Sequence, residues 1–146
     1  MSANKLPVFD TTIQVTNEWI NGICEELDTD DPHRGYAALR SVLHALRDRL
    51  PLAVAVHFAA QLPVLLRGVY YEGWDPASVP EKLHRDQFLN RIGRECQEPR
   101  RLHMEELVQA VFRVVRDRVS EGEVEKVLSV LPKDLRELLV CAPAPV

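Results

Sequence analysis

Cysteine, aromatic residues and basic charge are all in short supply here, and each shortage closes off a class of protein. Three cysteines, Cys24, Cys96 and Cys141, are odd in number and hold no CxxC pair, so free thiols in a reducing compartment, the cytoplasm, are expected. Eighteen Lys and Arg against 22 Asp and Glu leave a net charge of -4 and a pI near 5.7. No global positive field exists to draw the chain onto a phosphate backbone or an anionic bilayer, so neither nucleic acid nor membrane is expected as a partner. The longest apolar run, Leu50 to Leu66, is interrupted by Pro51, His57, Gln61 and Pro63 and falls short of the roughly 20 residues that cross a bilayer. The opening MSANKLPVFDTT lacks the apolar run of a signal peptide. GxxxxGK[ST] and GxGxxG loops are absent, and no serine or cysteine stands in a nucleophile motif, which points away from an enzyme and from a cofactor. Alternating β patterns are missing too.

What remains is an ordinary globular composition, 46% hydrophobic and 27% charged, in 146 residues, enough to bury a real core. Residues 47–74, RDRLPLAVAVHFAAQLPVLLRGVYYEGW, form the expected structural centre: an almost unbroken apolar helix, a proline break, an arginine and an aromatic turn. A single offset, the one that carries Asp48 onto Asp117, lays the chain on itself without a gap. Arg47-Asp48-Arg49-Leu50 then meets Arg116-Asp117-Arg118-Val119, Leu62-Pro63 meets Leu131-Pro132, and Trp19-Ile20-Asn21 meets Phe88-Leu89-Asn90. The expected fold is therefore all-α: a helical bundle of two tandem pseudo-repeats, each about three helices plus a short closing helix. The first unit spans 8–73 and the second 81–141, with the Gly-, Pro- and Ser-containing segment 74–80 as linker, and the two pack as one compact domain.

Periodicity places the helices. Trp19, Ile20, Ile23 and Leu27 share a face of the first helix, with Thr16 or Asp10 as candidate cap. Asp31-Pro32 opens the second, whose Leu39, Val42, Leu43, Leu46 and Leu50 form its stripe. The third runs from about Leu52 to Leu62 and is followed by a helical turn, Val64 to Tyr70. In the second unit Phe88, Leu89 and Ile92, then Leu107, Val108, Val111, Phe112, Val115 and Val119, repeat the pattern. Ser120 and Glu123 have the spacing of a reciprocal capping box, Val124, Val127, Leu128 and Leu131 follow, and Lys133 to Val140 closes the chain's second unit.

The two units differ outside these shared stripes. Leu52, Val54, Val56, Val64 and Leu65 correspond to Glu121, Glu123, Glu125, Lys133 and Asp134, so the first unit's third helix is apolar almost all round. Such a helix is normally buried, because each exposed aliphatic side chain forgoes about 1.5–3 kcal/mol of transfer free energy. Either the second unit, or the segment with Val8, Phe9 and Ile13, covers those five residues within the molecule, or they form an interface with a protein partner or a second copy.

The run ALRSVLHALRDRLPLAVAVHFAAQLPVLLRGVYYEGW, then HRDQFLNRI, then SEGEVEKVLSVLPKDLREL, resembles the bacterial domain-of-unknown-function family 2267. The resemblance covers nearly the whole chain and implies an all-helical bundle with paired repeats; it offers no catalytic residues. Where the family pattern carries an acidic residue near the start of the third helix, this chain has Ala53-Val54.

Three sets of side chains are candidates for function. Arg47, Arg49, Arg116 and Arg118 close the second helix of each unit; with Arg67 and Arg136 they suit either the helix ends themselves or a carboxylate or phosphate ligand, although Asp48 and Asp117 stand ready to pair them internally. Tyr70, Tyr71 and Trp74, with Arg67 and Glu72 as polar anchors, either fill the seam between units or line a small-ligand pocket there. Glu81 and His84 have a di-iron-type spacing but only once, and His57 reads as a core or seam histidine, so no metal site is expected. The function expected is that of a non-enzymatic cytoplasmic interaction or self-association module; the alternative is a small-molecule or anion sensor that binds between the units. A DNA-binding use of Arg40, His44, Arg47 and Arg49 is disfavoured by the acidic balance.

Overall fold

The computed structural model describes residues 6–98 and 100–140, and Cys141, the third thiol and the last residue of the expected second unit, lies outside them. Among the described residues every regular element is helical: α1 Pro7–Leu27, α2 Pro32–Arg49, α3 Leu52–Ala59, α4 Val64–Tyr71, α5 Arg85–Cys96, α6 Arg101–Arg118, α7 Glu121–Ser129 and α8 Lys133–Val140, with one 3-10 turn, Pro76–Ser78, in the connection between α4 and α5. The helical bundle expected from periodicity is the fold. α2, α3 and α4 begin at Pro32, Leu52 and Val64, and α6, α7 and α8 begin at Arg101, Glu121 and Lys133, the positions that the offset of Asp48 onto Asp117 assigns to them.

Local chemistry sets most of the boundaries. Asp31 caps α2 by accepting the His33 N–H at 3.0 Å, ahead of Pro32, whose missing N–H costs nothing in a first turn. α1 starts at Pro7, earlier than either expected cap and without a side-chain cap; Pro7 lacks one of the N–H groups that a helix start leaves unpaired, and Asp10 sits in the first turn, where its charge suits the helix dipole. α1 and α5 end alike, on left-handed residues Asp28 (φ 53°) and Gln97 (φ 60°), which the same offset superimposes. α3 stops at Ala59, short of the expected Leu62. Its last turn tightens, with the Gln61 N–H donating to Phe58 O and the Leu62 N–H to Ala59 O, both at 3.0 Å. The residue before Pro63 is in any case biased away from the helical region. The capping box at α7 is half-formed: Ser120 Oγ accepts the Glu123 N–H at 3.3 Å, but the Ser120 N–H is given to Gln61 Oε1 and Glu123 pairs with Lys126.

The centre of the bundle is α2, not the stretch from 47 to 74. α2 packs against α1, α3, α4, α5 and α6, and every residue from Ser41 to Arg47 is buried. Trp19, Phe58, Tyr70, Phe88 and Phe112 are the largest side chains wholly inside the core around it. Exchanging the two halves relates most of the helix contacts, though α2 packs on α3 more than α6 does on α7. α1 on α2 becomes α5 on α6, α4 on α2 becomes α8 on α6, α1 on α6 becomes α5 on α2, and the pairs α2–α6 and α3–α7 map onto themselves.

One contact shows how close the match is. Where α1 meets α2, Cys24 faces Gly35, and a Cβ on Gly35 would stand 2.5 Å from Cys24 Sγ. Where α5 meets α6 the sizes are reversed: Gly93 stands in the place of Cys24 and Met104 in the place of Gly35, and a Cβ on Gly93 would collide with Met104 Sδ. Each crossing holds one sulfur-bearing side chain and one glycine, with the bulk on opposite partners.

Candidate functional site

The basic residues singled out in the sequence are distributed over separate tasks. Arg47, on the last turn of α2, is buried; its Nε donates to Asp48 Oδ1 at 2.8 Å, and its Nη1 donates to Tyr70 O at 2.9 Å and Glu72 O at 2.8 Å. One turn back, His44 Nε2 lies 2.7 Å from Val69 O. Together they satisfy carbonyls at the end of α4 that have no partner inside the helix. Arg67 does the same for α3, donating to Ala59 O at 3.0 Å and Leu62 O at 3.1 Å. Arg49 donates to Leu83 O at 3.1 Å. Arg118 pairs with Glu18 of α1 at 3.3 Å, and Arg116 and Arg136 are exposed on α6 and α8. The guanidinium donors of Arg47 and Arg67 are thus committed to backbone and to Asp48, and the five anion-site candidates do not point to one centre.

The aromatic seam is filled rather than hollow at Tyr70. That ring is buried, lies 5.8 Å from Phe58 and 5.2 Å from Tyr71, and its hydroxyl donates to Ala55 O at 2.9 Å. Burial pushes the phenol well above its ordinary pKa. Tyr71 and Trp74 are half-buried and tilted together at 5.4 Å, with the indole N–H of Trp74 buried and without a partner. Glu72 is exposed and reaches Arg40 at 3.9 Å. Arg67, grouped with these residues in the sequence reading, turns away to α3.

Glu81 and His84 are likewise separated, Glu81 held by Arg91 and His84 lying 3.8 Å from Asp134. His57 is exposed, not a core histidine. Cys24 is buried and Cys96 half-buried, both free, and burial raises both thiols above their ordinary pKa, which keeps them protonated and poorly nucleophilic.

The remaining candidate is the apolar flank, and here the structure corrects one expectation. Neither the second half nor the N-terminal segment covers it: Leu52 is 49%, Val56 46%, Val64 64% and Leu65 44% exposed, and Val54 alone of the five is half-buried, packed against the core. Val8, Phe9 and Ile13 are themselves exposed. They stand on the first turns of α1, which begins at Pro7, whereas its counterpart α5 begins at Arg85, the match of Thr16. This overhang is tied to α4 by the Leu65 N–H, which donates to Thr12 Oγ1 at 2.9 Å. Between them lies a groove of about 490 Å³ with Val8, Val15, Trp19, Leu62 and Val64 on its walls and Gln61 and Arg118 among its polar groups. Sequence reasoning missed the groove because its walls come from segments far apart in the chain; the apolar spacing after Pro7 was the signal available.

These features define an all-helical bundle with an uncovered apolar flank on one half, and among the described residues no helix is long and apolar enough to cross a membrane. The chain belongs to the family described as Uncharacterized conserved protein (DUF2267), which it matches over residues 16–138. None of the curated proteins matches it.

Proposed function

We propose that this chain is a non-enzymatic cytoplasmic module that binds an apolar helix face, of a protein partner or of a second copy of itself, along the flank formed by α3, α4 and the overhanging start of α1. One observation carries the reading: Leu52, Val56, Val64 and Leu65 are exposed, although glutamate, lysine or aspartate occupies each matching position of the second half. The matching places of the second half carry a charged surface, and leaving these four apolar keeps aliphatic area in water that a docked partner would remove from it. The groove beside Val64 supplies a recess for an anchoring side chain, the usual organisation of a helix-in-groove contact.

A photo-reactive amino acid placed at Val64, and separately at Lys133, tests this in the cell of origin. Protein adducts at position 64 and none at 133 support the reading. A purified protein that is monomeric by light scattering at every concentration, together with equal labelling or none at the two positions, overturns it. The sensor alternative rests on the unpartnered Trp74 indole N–H in the seam. It predicts a rise in Tm with metabolite or anion panels, since a ligand at 100 times its Kd adds about 2.7 kcal/mol.

A further inference from the structure

We propose that His44 and Glu95 form a proton-dependent latch that clamps the end of α4 to α2 and α5. His44 is buried at 5% exposure. Its Nδ1 lies 2.8 Å from Glu95 Oε1 and its Nε2 lies 2.7 Å from Val69 O. A carbonyl offers no proton and an ionised carboxylate offers none, whereas a neutral imidazole has a single N–H. Both contacts are hydrogen bonds together only when the His44–Glu95 unit carries one proton more than a neutral imidazole beside a carboxylate.

The other half of the molecule shows what the position is for. Under the offset that relates the halves, His44 falls on Arg113 and Glu26 falls on Glu95, and Arg113 Nε donates to Glu26 Oε2 at 2.8 Å. The two pairs bridge matching helix contacts, α2 to α5 and α6 to α1. One uses a guanidinium that never loses its charge, the other an imidazole that does.

The surroundings of His44 carry charge of both signs. On its own helix, Arg40 lies 3.7 Å from Glu95 and 3.9 Å from Glu72, and buried Arg47 is paired with Asp48. From α5 come Glu95 and Arg91, the latter on Asp48, with the Cys96 thiol beside Ser41. From the end of α4 come Tyr70, Tyr71 and Glu72. Arg40 shares Glu95 with His44 and also faces Glu72, and Arg47 and Arg91 share Asp48, so each of these cations already faces a carboxylate. Loss of the latch proton leaves one of the two contacts without a hydrogen atom and loosens the tie between α2, α5 and the end of α4.

Thermal unfolding of the full chain and of His44→Arg, with amide exchange at residues 69–74, tests the latch. From about pH 5.5 to about pH 8.5 the Tm of the unaltered protein is expected to fall by about 3–6 °C more than that of His44→Arg, in which the other four histidines remain. Protection at 69–74, corrected for the base-catalysed rise of intrinsic exchange with pH, should fall over the same interval only in the unaltered protein. Nitrogen-15 imidazole spectra of the unaltered protein serve should the arginine not be accommodated: two N–H groups on His44 at the lower pH and one at the higher are expected. Equal Tm slopes in the two proteins, or a single imidazole N–H at both pH values, would overturn the proposal.

Discussion

α3 and α7 occupy matching places, pack against each other, and present opposite surfaces. Their inward residues agree in kind: Ala55 and Phe58 in the first half and Val124 and Val127 in the second are all buried. Their outward residues do not, with Leu52 and Val56 against Glu121 and Glu125, all exposed. The comparison separates what the bundle needs from what it merely tolerates. A helix here must fill its inner face, but nothing in the fold asks for aliphatic side chains outside. The same contrast runs through the ends of α2 and α6, where Arg47 is buried on three acceptors while Arg116 is exposed, and through α1, whose apolar overhang precedes the segment that matches the family.

The largest effect expected lies at the arginines. Arg47→Ala leaves Tyr70 O and Glu72 O without this donor and Asp48 with Arg91 alone, and should cost about 3–5 kcal/mol in urea unfolding, against less than about 0.5 kcal/mol for Arg116→Ala at the matching exposed position. Equal costs would mean that the two helix ends do the same work, contrary to their contacts. Next comes the crossing of α1 and α2. Gly35→Met alone drives a side chain onto Cys24 and should cost about 1–3 kcal/mol. Adding Cys24→Gly imports the arrangement of the second half, and a double-mutant cycle should return about 1–2 kcal/mol of coupling. Strict additivity would show that the two crossings are not interchangeable.

A smaller effect separates the ties that hold α4 and α8. α4 is tied by its Leu65 N–H to Thr12, whereas α8 uses the Asp134 side chain, whose Oδ2 accepts the Arg85 N–H at 2.9 Å. Burial works to raise the Asp134 carboxyl, but hydrogen bonds from the Arg85 and Leu135 N–H groups and the nearby His84 outweigh it and hold the carboxyl below the usual aspartate range. A carboxyl lowered by folding stabilises at pH above its unfolded value, and that contribution disappears as pH falls through the folded value. The stability difference between the unaltered protein and Asp134→Asn should therefore shrink on acidification, as followed by circular dichroism. A difference constant down to the acid transition would show that the carboxylate charge contributes nothing.

Much of the framework was legible because local signals carried it. Asp31-Pro32, the α2 and α6 stripes and Ser120 each act within a few residues of themselves, and the elements begin where those signals fall. What was not legible depends on partners distant in the chain. α3 ends early with Arg67 on its carbonyls; Glu123 fails to complete its box while Gln61 of the other half takes the Ser120 N–H. Arg47 finds its acceptors 23 and 25 residues later. The flank was visible as a run of apolar residues set against charged ones, but its exposure was not, because a helix apolar on every side is more often enclosed. The overhang of α1 that was expected to cover it begins with a proline at its first turn and adds exposed apolar residues of its own.

The most direct test transplants the second half's surface onto the first, in the single variant Leu52→Glu, Val56→Glu, Val64→Lys, Leu65→Asp. Each new residue is the one already present at the matching position of the second half, and each replaced side chain is exposed. Measured by denaturant unfolding together with light scattering and cross-linking, the variant should keep its stability to within about 2 kcal/mol, four exposed substitutions at roughly 0.5 kcal/mol each, while losing partner or self-association. A loss well beyond that sum would show that the flank belongs to the core, and association undiminished in a folded variant would show that the partner docks elsewhere.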